Sequence, residues 1–359
     1  MVRAEHGALS GRARVRAGWR CAQAALVWLG VAAGAAWAQP DPSGIDFVTV
    51  GAAGNPVYDG PDVNQSLRGR GSVAYEYRIG RTEVTTAQWV EFYNAFYDRA
   101  PHVNLPVRWG GVDLGPGQSP RFIVSSAPNA AMFPVSGPTW RTSAMFCNWL
   151  HNDKGTDLSA VMDGAYDVST FGYIGSVFTD QAAHHPDARY WIPTVDEWIK
   201  AGFYDPDYGG AGVGGWWWNT PAGTNVPLIH APPGTGQSNS AFDLPGDAQF
   251  RIPLGSYPDV LSPWGLLDMA GATSEFSETV RTVDGIHTRR VMNSHWGSSD
   301  VGVDSVYGMG TEFPSLPSLF YGLRVAASVP APGSWLPIGV ACVALSCRRV
   351  RSGSQRGAR

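Results

Sequence analysis

Few residues in this 359-residue chain have the types and spacing that chemistry needs. There are four cysteines, at positions 21, 147, 342 and 347. Only Cys147 falls in the body of the chain, the others lying in terminal segments. A thiol reacts or binds metal when a base, a cation or a second thiol lowers its pKa. No histidine or cysteine stands at a telling spacing from Cys147, so it reads as a small apolar core residue. His184-His185 has no carboxylate or cysteine at ligand spacing, which reads as solvated loop histidines rather than a metal centre. His295 can act as acid, base or ligand, or simply hydrogen-bond within its loop. Asn239 to Asp243, with Asp247, form an oxygen-rich loop. Trp216-Trp217-Trp218 offers either a stacking surface for sugar faces or the core and rim of an irregular fold.

The ends of the chain read as addresses. Residues 1–38 carry arginines at 12, 14, 16 and 20, an apolar run from Ala22 to Ala35, and the small-x-small site Ala36-Trp37-Ala38. That is the order of a secretory signal peptide. At the far end, residues 329–359 open with Val329-Pro330-Ala331-Pro332-Gly333. A mostly apolar run over residues 334–347 follows, and then arginines at 348, 349, 351, 356 and 359. The run is shorter than a bilayer span of about 20 residues. This tail resembles the PEP-CTERM sorting signals of exported bacterial proteins, with Ala331 where those signals usually carry Glu. The resemblance implies transient anchoring through residues 334–347 and an exosortase-type sorting machinery as partner; an ordinary membrane anchor is the other reading. Either one places the body outside the cytoplasm.

Without these ends the chain keeps 16 basic and 29 acidic side chains, a net charge of −13. Such a surface repels nucleic acid, whose binding rests on phosphate neutralisation. The body of about 290 residues is long enough for one large core or two smaller ones.

The elements expected to position these residues are short. Ile45 to Val50 reads as a first strand, and Val73 to Gly80 alternates with period two. Thr85 or Thr86 caps a helix over 87–99, whose Trp89, Phe92, Tyr93 and Phe96 share one stripe. Pro134 to Trp140 enters a second helix carrying Ala144, Cys147, Asn148 and His151 on one face, with His151 at its C-terminal end as a helix charge. Gly164 to Val168 reads as a short strand, and Ile252 to Pro258 as a strand entering a turn. The sharpest local signal is Tyr190-Trp191-Ile192-Pro193-Thr194-Val195-Asp196-Glu197-Trp198. A buried strand stops at proline, and Thr194 with Glu197 forms a capping box for a third helix. Tyr321 to Ala326 reads as a final strand.

Five of these pieces, in this order, resemble the formylglycine-generating enzyme family, the sulfatase-modifying factors. They are Glu83-Val84-Thr85 with Trp89; Pro134 to Trp140 before Cys147-Asn148-Trp149-Leu150; Ile192 to Trp198; Gly265 to Phe276; and Gly322-Leu323-Arg324-Val325. The resemblance implies one domain over residues 45–328. Its fold class is α+β, irregular and C-type-lectin-like, low in regular structure, with short strands and two or three helices.

The family's active members oxidise a sulfatase cysteine with copper and oxygen, using two cysteines that follow an Arg-Gly-Gly-Ser-Trp/Tyr motif. Here that motif reads Met292-Asn293-Ser294-His295-Trp296, and the cysteine positions fall near Ser298 and Val303. Thiolates are the soft ligands that select Cu(I), and no cysteine lies between 148 and 341. The resemblance therefore implies the fold without the copper chemistry. It also implies one structural calcium, held by Asn239, Ser240, Asp247 and Gln249 (through its carbonyl), with waters completing about six to eight oxygens. A second family calcium site is centred on an asparagine that is Ala272 here.

The expected function is an exported, non-catalytic module that binds a glycan or peptide. Its candidate contacts are Trp216, Trp217, Trp218, His295 and Trp296. The alternatives are an oxidoreductase-like enzyme of altered chemistry working through His295, and a purely structural envelope protein.

Overall fold

A computed structural model describes residues 41–330 apart from 63–66, 104–108, 211–213, 241–243, 245–247 and 299–300. The expected signal peptide over 1–38 and the tail segment over 334–347 lie outside the described residues, as does Asp247.

Four short strands make the first sheet, in the order Phe47–Val50, Tyr77–Gly80, Ala326–Ala327, Tyr190–Trp191. All pairings are antiparallel. Ala326 faces Ile79 on one side and Trp191 on the other. The last strand of the domain is thus inserted between earlier ones and closes the core.

The helices follow their caps. Thr86–Phe96 begins at Thr85, whose hydroxyl accepts from the Gln88 N–H while the Gln88 side chain accepts from the Thr85 N–H. Its Trp89, Phe92, Tyr93 and Phe96 are all buried. It stops before the expected Arg99, whose guanidinium folds back onto the carbonyls of Ala95 and Thr156. Trp140–His151 starts at Thr139 and is buried from Trp140 to Leu150. Such all-round burial marks a helix running through the core. Cys147 is fully buried there, and burial pushes its thiol pKa well up, as an inert core residue requires. Val195–Phe203 carries the expected Thr194–Glu197 capping box.

Three expectations fail locally. Gly164 to Val168 is not a strand; Asp167 instead accepts from the Ser169 N–H and opens a single 3-10 turn, Val168–Thr170. Ile252 to Pro258 pairs with no strand, its prolines lacking the N–H a ladder needs. The final strand breaks into Tyr321–Gly322 and Ala326–Ala327, which join different sheets. Between these pieces Arg324 turns inward.

That arginine ties the core together. Its Nε and Nη2 bond Glu275 at 2.8–3.0 Å, and its remaining donors reach the carbonyls of Gly80, Arg81, Leu267 and Asp268. Trp198 Nε1 also donates to Glu275, at 2.5 Å. A buried ion pair is tolerated when every lone pair and proton finds a partner, and this one is nearly saturated.

The second sheet holds the longest strands. Ser274–Val283 and Ile286–Met292 form an antiparallel hairpin, flanked by Met309–Glu312 and by the parallel Tyr321–Gly322. Its two-residue turn is Asp284-Gly285, both with positive φ (50° and 77°), which matches the twist of a tight hairpin.

Candidate ligand cleft and the loop beside it

Tyr204–Asp205 pairs with Trp216–Trp217 as a short antiparallel ribbon. Successive side chains on a strand point to opposite faces, so the tryptophan triplet divides. Trp217 turns toward Tyr58 and Tyr204, with ring centroids 5.7 and 5.0 Å away. Trp218 turns to the other side, where Nε1 donates to Asp205 at 3.3 Å and the ring meets Tyr208 edge-on. Trp216 is 45% exposed. A cleft of about 420 Å³ opens between this ribbon and the 56–61 loop. Tyr58, Trp216 and Trp217 form its aromatic walls, and Asp59, Asn219 and Asn225 stand on its lining as polar groups. Mostly apolar walls with a few placed polar groups are the usual make-up of a small-ligand site. Tyr58 and Asp59 carried no signal in the sequence, since they sit in an irregular Gly/Pro segment more than 150 residues from the tryptophans.

Asn219 links the cleft to the loop that runs from Asn293 to Gly308. Its carbonyl accepts from the Val306 N–H at 2.9 Å, and its Oδ1 accepts from the Tyr307 hydroxyl at 3.0 Å. This loop contains the positions where the family's cysteines were expected. Ser298 Oγ accepts from the His295 N–H at 3.0 Å, and Val303 lies in the 3-10 turn Val301–Asp304. Neither side chain is a soft metal ligand. Among the described residues, no group of three or more His, Cys, Asp or Glu is placed to hold a metal.

A buried polar cluster anchors the loop instead. Asp304 accepts from Ser240 Oγ at 2.8 Å and from Ser294 Oγ, and lies 2.7 Å from His230 Nε2. Ser294 Oγ in turn accepts from the Gly271 N–H at 2.7 Å. Neighbours this remote in sequence were invisible without the fold. His230 binds through Nε2 only; its buried Nδ1 has no hydrogen-bond partner among the described residues.

The expected calcium ligands divide here. Asn239 Oδ1 accepts from the Ala272 N–H at 2.6 Å, and Ser240 Oγ is spent on Asp304. Gln249 Oε1 accepts from the Leu244 N–H at 3.3 Å. The described part of the set supplies only neutral oxygens, whereas calcium sites are built largely on carboxylates. Ala272, where the family has asparagine, holds a left-handed backbone with φ 48°. Asparagine tolerates that conformation better than alanine.

The other histidines and Trp296 correct the expectations. Trp296 is 2% exposed, with its ring edge-on to Phe250, so it has no free face for a ligand. His295 stacks on Phe320 at 4.3 Å, and its Nδ1 accepts from the Gly297 N–H at 2.9 Å. Burial pushes its pKa down to about 4, which leaves a neutral, loop-bracing imidazole. His151 does not act as a helix charge: burial and Arg189 lower its pKa, and its Nδ1 accepts from the Arg189 N–H at 3.1 Å. His184 is not a solvated loop residue, since it stacks on Trp191 and binds Glu278.

An irregular α+β domain with this ribbon, loop and arginine-centred core defines the class. Residues 46–329 match the sulfatase-modifying factor enzyme 1-like domain, and the chain belongs to this FGE-sulfatase family. Among solved structures, it is similar to the crystal structure of CarF, with 18% identity over 80% of this chain and 99% of that one, and a TM-score of 0.50. It also matches Treponema denticola variable protein 1, at 16% identity, 79% and 95% coverage and a TM-score of 0.46. PvdO from Pseudomonas aeruginosa matches at 14% identity, 79% and 92% coverage and a TM-score of 0.42. At these identities the likeness concerns the fold alone. No curated protein sequence matches the chain.

Proposed function

We propose that this domain is an exported ligand-binding module rather than a cysteine oxidase, and that its ligand is a glycan held in the aromatic cleft. The observation carrying this reading is the exposed Trp216 beside Trp217 and Tyr58, in a cleft whose lining also includes Asp59, Asn219 and Asn225. An aromatic ring stacks on the apolar face of a sugar, and carboxylate and amide groups beside it bind the hydroxyls. The chemistry of Ser298 and Val303 supports the same reading, because neither supplies the thiolate that copper would need. The Arg-rich signal and the Pro-x-Pro tail support export and sorting.

An enzyme of altered chemistry acting through His295 is the second reading. It has the neutral imidazole in its favour. A base with a pKa near 4 is weak, however, and a catalytic base works best near the operating pH.

A glycan array on the purified protein, run beside metal analysis and assay on a sulfatase-derived cysteine peptide, tests the proposal. Saturable sugar binding that is lost in Trp216→Ala is the expected result. Bound copper with aldehyde formation on the peptide would overturn it. Binding to peptides but not to sugars would keep the module and replace the ligand.

A further inference from the structure

The hairpin also builds a basic pocket, distinct from the aromatic cleft and sharing no residue with it. Its cavity of about 420 Å³ is lined by Arg70, Arg281, Arg290, Val195, Thr279 and Thr282, among others. Arg281 pairs with Thr288 across the hairpin, and Arg290 lies two residues beyond Thr288. Residues two apart on a strand share a face, so the two arginines are diagonal neighbours within reach of one another. Arg289 between them points the other way, buried over the Trp140 ring at 3.6 Å. Arg70 arrives from a separate loop.

This arrangement is costly unless it serves something. Like charges that crowd one surface repel, and a guanidinium normally finds a carboxylate or carbonyl. Arg70 has one, Asp196 at 3.2 Å. Among the described residues, Arg281 and Arg290 make no side-chain hydrogen bond or ion pair, and Arg290 is half-buried. Burial, together with Arg281 and Arg70, lowers the pKa of Arg290. The pocket therefore holds three guanidinium groups against one carboxylate, on a domain whose remaining charge is strongly negative. The acidic body has 29 carboxylates to choose from, yet none but Asp196 is paired here.

We propose that this pocket binds an oxyanion, a sulfate, phosphate or carboxylate group carried by an acidic ligand, between Arg281, Arg290 and Arg70. The planar fork of arginine matches such groups in a two-point contact. Thr279 stands on the same lining; its oxygen accepts from the Val195 N–H, and its hydroxyl proton can be donated to an anion. An anion seated there removes the repulsion between the arginines, so binding also stabilises the hairpin.

Calorimetric titration of the full chain with sodium sulfate, sodium phosphate and sodium acetate tests this, with chloride holding ionic strength constant. At least one anion is expected to bind saturably. Its affinity should fall at least tenfold in Arg281→Gln/Arg290→Gln and stay within twofold in Arg99→Gln, whose arginine lies elsewhere and bonds only carbonyls. A preference for acetate would assign a carboxylate ligand, and a preference for sulfate or phosphate a tetrahedral one. The same anion should raise the melting temperature of the wild type and not that of the double variant. If the double variant does not fold, Arg281→Gln alone, at an exposed position, carries the comparison. No saturable binding, or equal binding by wild type and arginine variants, overturns the proposal.

Discussion

His184 lies flat against Trp191, ring centroids 4.5 Å apart and planes 17° from parallel, while its Nδ1 sits 2.6 Å from Glu278. The contact joins a loop to the second sheet, because Glu278 lies on the strand Ser274–Val283. It also gives the domain a pH-dependent clasp. Burial opposes the charged imidazole, but the hydrogen bond and charge of Glu278 outweigh it and raise the histidine pKa. The folded state therefore holds this proton more tightly than the unfolded chain. Its contribution is complete below the ordinary histidine value of about 6.5, and is lost as pH rises through the raised folded value. His184→Gln should cost about 1–3 kcal/mol in the acidic range. Urea melts at a series of pH values should show the gap between wild type and variant narrowing above neutrality. A gap independent of pH would show that the imidazole is not charged in the fold.

Arg324 and Glu83 predict opposite outcomes in the same core. Arg324→Met leaves Glu275 buried without its partner, at a cost of about 3–5 kcal/mol. Glu83 is fully buried beside Glu275, and burial together with that neighbour pushes its pKa well above the carboxylate range. That direction favours the neutral acid, which bonds the Thr273 N–H and hydroxyl. Glu83→Gln keeps both bonds, with its amide donating to the hydroxyl, and should shift stability by less than about 1 kcal/mol. Equilibrium denaturation of both variants checks the contrast. A severe loss in Glu83→Gln would mean that the glutamate is ionised.

The two cleft tryptophans should separate binding from folding. Trp216 is half in solvent, so Trp216→Ala should remove glycan binding and change stability by less than about 1 kcal/mol. Trp217 packs between Tyr58 and Tyr204, so Trp217→Ala should also destabilise the domain, by about 2 kcal/mol or more. Thermal melts paired with binding titrations read both effects. Equal destabilisation by the two changes would make the triplet simply core.

Asn239→Ala distinguishes a hydrogen bond from a metal ligand. It strips the Ala272 N–H of its acceptor in a buried turn, which should cost about 1–3 kcal/mol. If the bond is the whole role, that cost is the same in calcium and in chelator. A penalty that appears only with calcium present would restore Asn239 as a ligand.

Local chemistry was legible wherever neighbours in sequence were also neighbours in space. Thr85 with Gln88, and Thr194 with Glu197, fix two helix starts within four residues, and the 3.6-residue stripe from Trp89 to Phe96 names the buried face. Five motifs in register carried the family and the irregular α+β fold. The Asp284-Gly285 turn between β-rich runs is local information of the same kind.

What only the tertiary structure decided depends on groups far apart along the chain. Burial and partner set a side chain's charge state, and sequence distance does not. His184 became a clasp because Glu278 lies 94 residues away, and Asp304 gathered His230, Ser240 and Ser294 from three segments. Trp296 reads as a ligand contact in sequence and proves to be core, while Tyr58 comes from a featureless loop to face Trp217. Arg281 and Arg290 converge only because the hairpin turns at Gly285 and brings nine residues of chain back on itself.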